Sequence, residues 1–324
     1  VLLVIVAVGS YVLVDRILVS AVARPPSPPG WLDSVRARGH LPDLTGLVIE
    51  RTVDGDASVM AYDSTQWLQA SPEVAGLFQR VVMNDSVAPT AGDTALWRTV
   101  ASDTALDRFV GLARMRGWAA LSRALPGDST GLFSIHFPRS RAVVERLVLR
   151  ALWRAAHRDV PGARTDLAAV MSIGERMFRR EPVIGLRQGV RNLGYAVRAY
   201  TKLAAVTRDS VLTRRIQPVS EWLRLTPDII VRFLPTDPDS CAVVAADSSL
   251  PLGYRGVALE FMGLAGYPGA RTLVFGLPSS VFERLAPFLS DSDPDIARYA
   301  AAAKREWESY NRRSIRGRLV GPRN

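Results

Sequence analysis

The sequence predicts a mainly α-helical protein. It should carry an N-terminal transmembrane helix, a proline-rich spacer, and a body of antiparallel helical hairpins with a small β-hairpin near 46–62. Three observations predict this. An apolar run opens the chain. A proline cluster follows it directly. From Arg139 onward, apolar residues recur at helical spacing between short breaks.

The first element is VLLVIVAVGSYVLVDRILVSAVA (1–23). Ten of its first fourteen residues are Val, Ile or Leu, beginning with Val1, Leu2, Leu3, Val4 and Ile5, and Tyr11 is its one aromatic. On an insertion scale those ten residues contribute roughly −3 to −6 kcal/mol. Asp15 and Arg16 would each cost about 2.5 to 3.5 kcal/mol at the bilayer midplane, so the pair belongs near an interface or against a partner helix. Positions 1–14 cover about 21 Å of a hydrocarbon core about 30 Å thick. The span therefore runs on, tilted, to Ala23, or begins upstream of Val1. A soluble core helix would show a polar face at helical spacing, and this segment has none. A cleaved signal peptide would need a small-x-small site, for which Ser20-Ala21-Val22-Ala23 is the one candidate.

The spacer, Arg24-Pro25-Pro26-Ser27-Pro28-Pro29-Gly30, reads as extended polyproline chain about 20 Å long. Arg16, Arg24, Arg36 and Arg38 follow the span and favour a cytoplasmic body, but long domains translocate largely regardless of charge. The expected location is a bacterial-type inner (cytoplasmic) membrane, crossed once, with the body extracytoplasmic.

Residues 31–135 read as mixed α/β. In GLVIERTVDGDASVMAYD, two β-prone stretches flank Asp54-Gly55, a favoured hairpin turn. Ser71-Pro72-Glu73 reads as a helix start, and 103–125 as the next helix, ending at Pro126-Gly127. Residues 136–232 form the helical-hairpin region. Apolar residues at 144, 147, 148, 151, 152 and 155 mark one buried face, and short links at Asp159-Val160-Pro161-Gly162 and Pro182 imply antiparallel neighbours. Three prolines make 233–253 read as a loop, 254–310 as a C-terminal helical block and 311–324 as a basic tail. Asp293-Pro294-Asp295 reads as the cap of the last helix.

Small residues recur where helices would approach closely. The pattern at Ala155, Gly162, Ala163 and Leu167 resembles the crossing of tetratricopeptide-like helical-hairpin repeats, over about 139–206. The repeat's Trp-Leu-Gly and Pro positions are not in register, and no clean 34-residue period is present. The resemblance implies an array that binds other proteins.

Composition narrows the chemistry. Net charge is +10, and of 41 basic residues only Lys202 and Lys304 are lysine. Arginine suits bidentate pairing with carboxylates and phosphates. Cys241 stands alone, which excludes an internal disulfide and any cysteine-rich metal site. His40, His136 and His157 are scattered, and no phosphate-loop, zinc-protease or serine-hydrolase signature occurs. The sequence therefore implies no catalytic, cofactor-binding or metal-binding residue. The aspartates at 291, 293 and 295 mimic a calcium loop but lack its glycine and its closing glutamate.

Two arginine stripes are the positive signal. Arg146, Arg150, Arg154 and Arg158 recur every fourth residue; Arg187, Arg191, Arg198 and Lys202 repeat the pattern on a later helix. The tail adds Arg312, Arg313, Arg316 and Arg318. The expected role is a non-catalytic, single-pass membrane accessory or scaffold subunit. These arginines would dock on other subunits of a large membrane complex, for which an energy-transducing (photosynthetic or respiratory) one is an example. Its partners would be those subunits and the lipid bilayer, not nucleic acid: Trp153 and Tyr195 sit near the arginines but fit a core equally well, and an exported, membrane-tethered chain seldom meets nucleic acid. A membrane-anchored hydrolase and a binder of anionic polymer or lipid are the alternatives.

Overall fold

The structure, a computed structural model, describes residues 30–57, 71–84, 89–118, 137–181, 183–225, 238–260, 262 and 279–313. The expected anchor, 1–23, and the expected spacer, 24–30, lie outside the described residues except for Gly30. No described helix is long and apolar enough to cross a membrane. The described chain is mainly helical, with one two-stranded sheet. It divides into two compact units. The larger comprises Arg36–Arg232 and Ser249–Gly256; the other comprises the described parts of Val1–Val35, Phe233–Ser248 and Val257–Asn324.

The larger unit begins in α1 (Trp31–Gly39), most of whose second half belongs to it, and the strand β1 (Val53–Asp56). Helices α2 (Pro72–Phe78), α3 (Ala91–Ala101) and α4 (Ala105–Ala113) follow, and β2 (Met115–Gly117) closes this part. Ser71 caps α2 by accepting from the Val74 N–H at 3.3 Å, with Pro72 at the first helical position. A π-helical turn, Gln79–Met83, extends α2. Thr90 and Asp93 form a reciprocal capping box on α3.

The hairpin expected around Asp54-Gly55 is absent. Those residues sit within β1, which pairs in parallel with β2, some sixty residues on. Parallel strands need a crossover, and α2–α4 supply it. Gly55 has φ +138°, which side chains rarely tolerate, and a Cβ on Gly117 would strike the Gly55 carbonyl. The glycine therefore serves a close strand approach rather than a turn. The helix expected over 103–125 also stops short, at Ala113. The buried Arg176 guanidinium accounts for this by donating to the carbonyls of Leu112 and Ala113, each at 3.3 Å, and to that of Met115. Burial, with Arg51 nearby, lowers the Arg176 pKa to about 10, which leaves it charged at neutral pH.

The core of the unit is α5 (Phe137–Ala156), α6 (Val160–Arg180), α7 (Val183–Thr207) and α8 (Ser210–Leu225). The apolar positions at 144, 147, 148, 151, 152 and 155 are all buried. Two links share one construction. At the first, the Asp159 N–H bonds the Arg154 carbonyl and the Arg158 N–H bonds the Ala155 carbonyl. At the second, Asp209 and Arg208 repeat this with Ala204 and Ala205. Arg158 and Arg208 both adopt positive φ, 66° and 53°. Each helix thus ends in a Schellman motif, and the following aspartate caps the next helix. The two links lie fifty residues apart, longer than the 34-residue tetratricopeptide period.

Glycines set the crossing of α6 and α7. A Cβ at Gly174 would press on Leu193, and one at Gly189 would strike the Phe178 nitrogen at 2.6 Å. Rising numbers on α6 meet falling numbers on α7, so the pair is antiparallel. Segment 44–52 lies across these helices. The Ile49 N–H donates to Ser172 Oγ at 2.9 Å, and the buried Tyr200 hydroxyl donates to the Leu47 carbonyl at 3.1 Å.

The second unit contains α9 (Pro238–Ala246), α11 (Ser279–Leu285) and α12 (Pro294–Arg313), with a 3₁₀ turn, Ala286–Ser290, between the last two. Helix α10 (Leu252–Glu260) spans the boundary of the two units. Residues 238–246 are helix where a loop was expected. Pro238 starts the helix with Asp239 in its first turn, and Cys241, Val244 and Ala245 are buried. The prolines mark where this helix starts, not a continuous loop. Asp293 Oδ1 accepts from the Asp295 N–H at 2.9 Å, which fits the expected cap of α12. That helix runs on to Arg313, so the first residues expected in the basic tail are helical.

Candidate functional site

The structure separates the predicted arginines into buried and exposed sets. Arg150 is 2% exposed and lies in the interior. It makes a bidentate pair with Asp166, which is fully buried, through Nε at 3.0 Å and Nη2 at 2.7 Å. Its Nη1 donates to Asp107 at 2.7 Å. Arg154 joins the group, donating to Asp166 Oδ2 at 2.9 Å and approaching Asp159 at 3.6 Å. Burial raises the Asp166 pKa against the pull of the two arginines. These residues tie α4, α5 and α6 together, so Arg150 offers no surface to a partner. Arg146 is half-buried, and Arg158 is exposed at the αL position that ends α5.

Sequence reasoning missed this outcome because the carboxylates lie far along the chain. Asp166 is 16 residues beyond Arg150, and Asp107 is 43 before it. The cue was nevertheless present: α5 carries apolar residues on more than one face, with Ala142, Val143 and Leu149 buried beside the predicted stripe. A helix apolar all round is a buried one, and its arginines must then be paired.

The second stripe is open. Arg187, Arg191 and Arg198 on α7 are exposed, and among the described residues none forms an ion pair or a hydrogen bond through its guanidinium. Their spacing places them within about 40° of arc on one face. Gly194 lies between Arg191 and Arg198, and a Cβ there would meet nothing within 4 Å. Thr201 and Ala205 continue the exposed face. From Arg187 to Arg198 the strip is about 16 Å long. Lys202 leaves it, because its Nζ donates to the Val81 carbonyl at 2.8 Å and closes the π-helical turn after α2.

Aromatic residues do not interleave with the strip. Tyr195 is half-buried and packs edge-on against Phe78, with centroids 4.8 Å apart. Trp153 stacks on His157, and Trp97 donates to the Leu149 carbonyl at 2.7 Å. Arg312 is exposed on the last turn of α12, which Arg313 ends; Arg316 and Arg318 lie outside the described residues, as do Val1, Leu2, Leu3, Val4, Ile5, Tyr11, Asp15 and Arg16. His40 and His157 are exposed, and no cluster of three or more His, Cys, Asp or Glu suited to a metal occurs among the described residues.

No protein-family description matches this chain, and no characterised protein or solved structure matches it either.

Proposed function

We propose that this chain is a non-catalytic docking subunit, tethered to a membrane by residues 1–23, whose helical body binds an acidic surface of another protein through Arg187, Arg191 and Arg198. The observation that carries this reading is that, among the described residues, none of those three guanidiniums has an ion-pair partner. They lie in one line on a helix whose other faces are packed. Three aligned cations in water gain little from the fold that carries them. Each gains more when a carboxylate displaces its solvent. The notch at Gly194 lets a partner backbone approach α7 between two of them. The partner is a subunit of a membrane complex, and the body sits on the extracytoplasmic side.

The test is native co-purification with mass spectrometry of the full chain and of a triple Arg187→Gln, Arg191→Gln, Arg198→Gln variant. Subunits retained by the wild-type chain should be lost from the variant, and raised salt should mimic the variant. Identical retention by both proteins would sink the docking reading. Extraction of membranes with carbonate tests the tether: release of the chain as a soluble protein rejects it.

A further inference from the structure

The larger unit also contains an open cleft of about 480 Å³, remote in role from the α7 strip. Its volume falls within the range of small-molecule sites. Segment 46–52 forms one wall. The start of α6, Tyr200 and the start of α8 form the other.

Arginines stand at both ends. Arg215 lies across Gly46, whose φ of +76° and lack of a Cβ leave room for the guanidinium. Arg164 is at the same end, because the Tyr200 hydroxyl lies 3.4 Å from the Arg164 carbonyl and also meets that of Leu47. Arg114 enters at the opposite end, where its carbonyl accepts from the Val53 N–H at 3.0 Å. Extended chain at about 3.3 Å per residue puts the two ends of this wall at most about 20 Å apart, and long side chains reaching inward shorten the gap.

The charges are not equally available. Asp209 is committed: it accepts from the Val211 N–H at 3.0 Å and the Leu212 N–H at 2.9 Å, and it pairs with Arg164. The Leu212 N–H foremost, then Arg164, holds its carboxyl below the usual range. Asp43, near Arg215, is held in the same sense chiefly by Thr45. By contrast, the guanidiniums of Arg114 and Arg215 are exposed and make no hydrogen bond or ion pair among the described residues. Glu50, on the wall between them, is likewise exposed and unpaired.

We propose that this cleft binds a small organic anion that carries a carboxylate or phosphate at each end and a hydroxyl or amino donor between them. Arg114 receives one end and Arg215 the other, each guanidinium matching a planar carboxylate or a phosphate face. Glu50 accepts the hydrogen bond from the middle of the ligand. A single compact anion engages one end only.

Calorimetric titration of the full chain tests the site. The probes are 3-phosphoglycerate for a phosphate end and 2-hydroxyglutarate for two carboxylate ends; acetate and inorganic phosphate are the single-anion controls. At least one of these two-ended anions should bind one-to-one and more tightly than either control. Arg114→Gln and Arg215→Gln should each weaken it about tenfold or more. Both positions are exposed, so thermal unfolding of each variant should match the wild type. Added sodium chloride should weaken binding by the wild-type chain. Three results overturn the proposal: no binding of either two-ended anion, inorganic phosphate binding as tightly as the two-ended anions, or an affinity that either substitution leaves unchanged. None of these results bears on docking through α7.

Discussion

Helices α5 and α7 carry arginines at similar spacing, yet Arg150 of the first is interior, whereas Arg187, Arg191 and Arg198 of the second lie in solvent. On α5, Arg150 is enclosed by α4 and α6, whose Asp107 and Asp166 meet its guanidinium. On α7, Arg187, Arg191 and Arg198 face no carboxylate among the described residues. Spacing along a helix fixes which residues share a face. It does not say what that face meets. A buried guanidinium is costly unless carboxylates satisfy it, and α6 supplies one that is itself fully buried. The buried pair is therefore strict in its demands, whereas the exposed strip is free to be used for binding.

The comparison is most severely tested at Arg150. Replacing it with Met strands the Asp166 carboxylate with Arg154 as its remaining partner, and urea denaturation should show a loss of about 3 kcal/mol or more. Adding Asp166→Leu should recover part of that loss, because the orphaned charge goes too. If the single substitution costs no more than a surface change, the α5 network does not tie α4 and α6 to α5.

Next in size is Gly189→Ala, which tests how α7 is seated. The new methyl would meet the backbone of α6 at Phe178, and overpacking of this kind costs about 1 to 3 kcal/mol. Thermal unfolding at unchanged far-ultraviolet helicity checks it.

Asp93 is an intermediate case, a buried carboxylate paired with the half-exposed Arg80. The Arg80 hydrogen bond first, then the Thr90 N–H, lowers its pKa from 3.8 to about 2. A depressed folded-state pKa means that its contribution is complete above about 3.8 and is lost as the pH falls through about 2. Asp93→Asn should therefore lower stability at neutral pH and narrow the gap from wild type in acid. An equal deficit at pH 7 and pH 2 would contradict that assignment.

The smallest effect belongs to the exposed strip. Changing Arg187, Arg191 and Arg198 together to Gln should move the unfolding free energy by no more than about 0.5 kcal/mol. A larger loss would mean that these residues hold the fold, which would bring α7 closer to α5.

Much of the helical framework was legible in the sequence. The starts at Ser71-Pro72 and Asp293-Pro294, the break at Asp159-Val160-Pro161-Gly162 and the start of α7 after Pro182 follow from caps, prolines and periodicity. These are short-range effects, complete within a turn or two of chain. The features that bear on function were not legible in this way. The stop of α4 depends on Arg176, more than sixty residues away. The placement of Asp54-Gly55 depends on a parallel partner at Met115–Gly117. The cleft depends on Arg114, Arg164 and Arg215 being brought from three separate segments to line one space. Read alone, the residues mark several helix starts and the break at Asp159, because backbone capping and side-chain periodicity act locally. Which arginines found carboxylates and which were left to solvent was settled by packing, because such pairing depends on distances across the fold and on the loss of water around each charge.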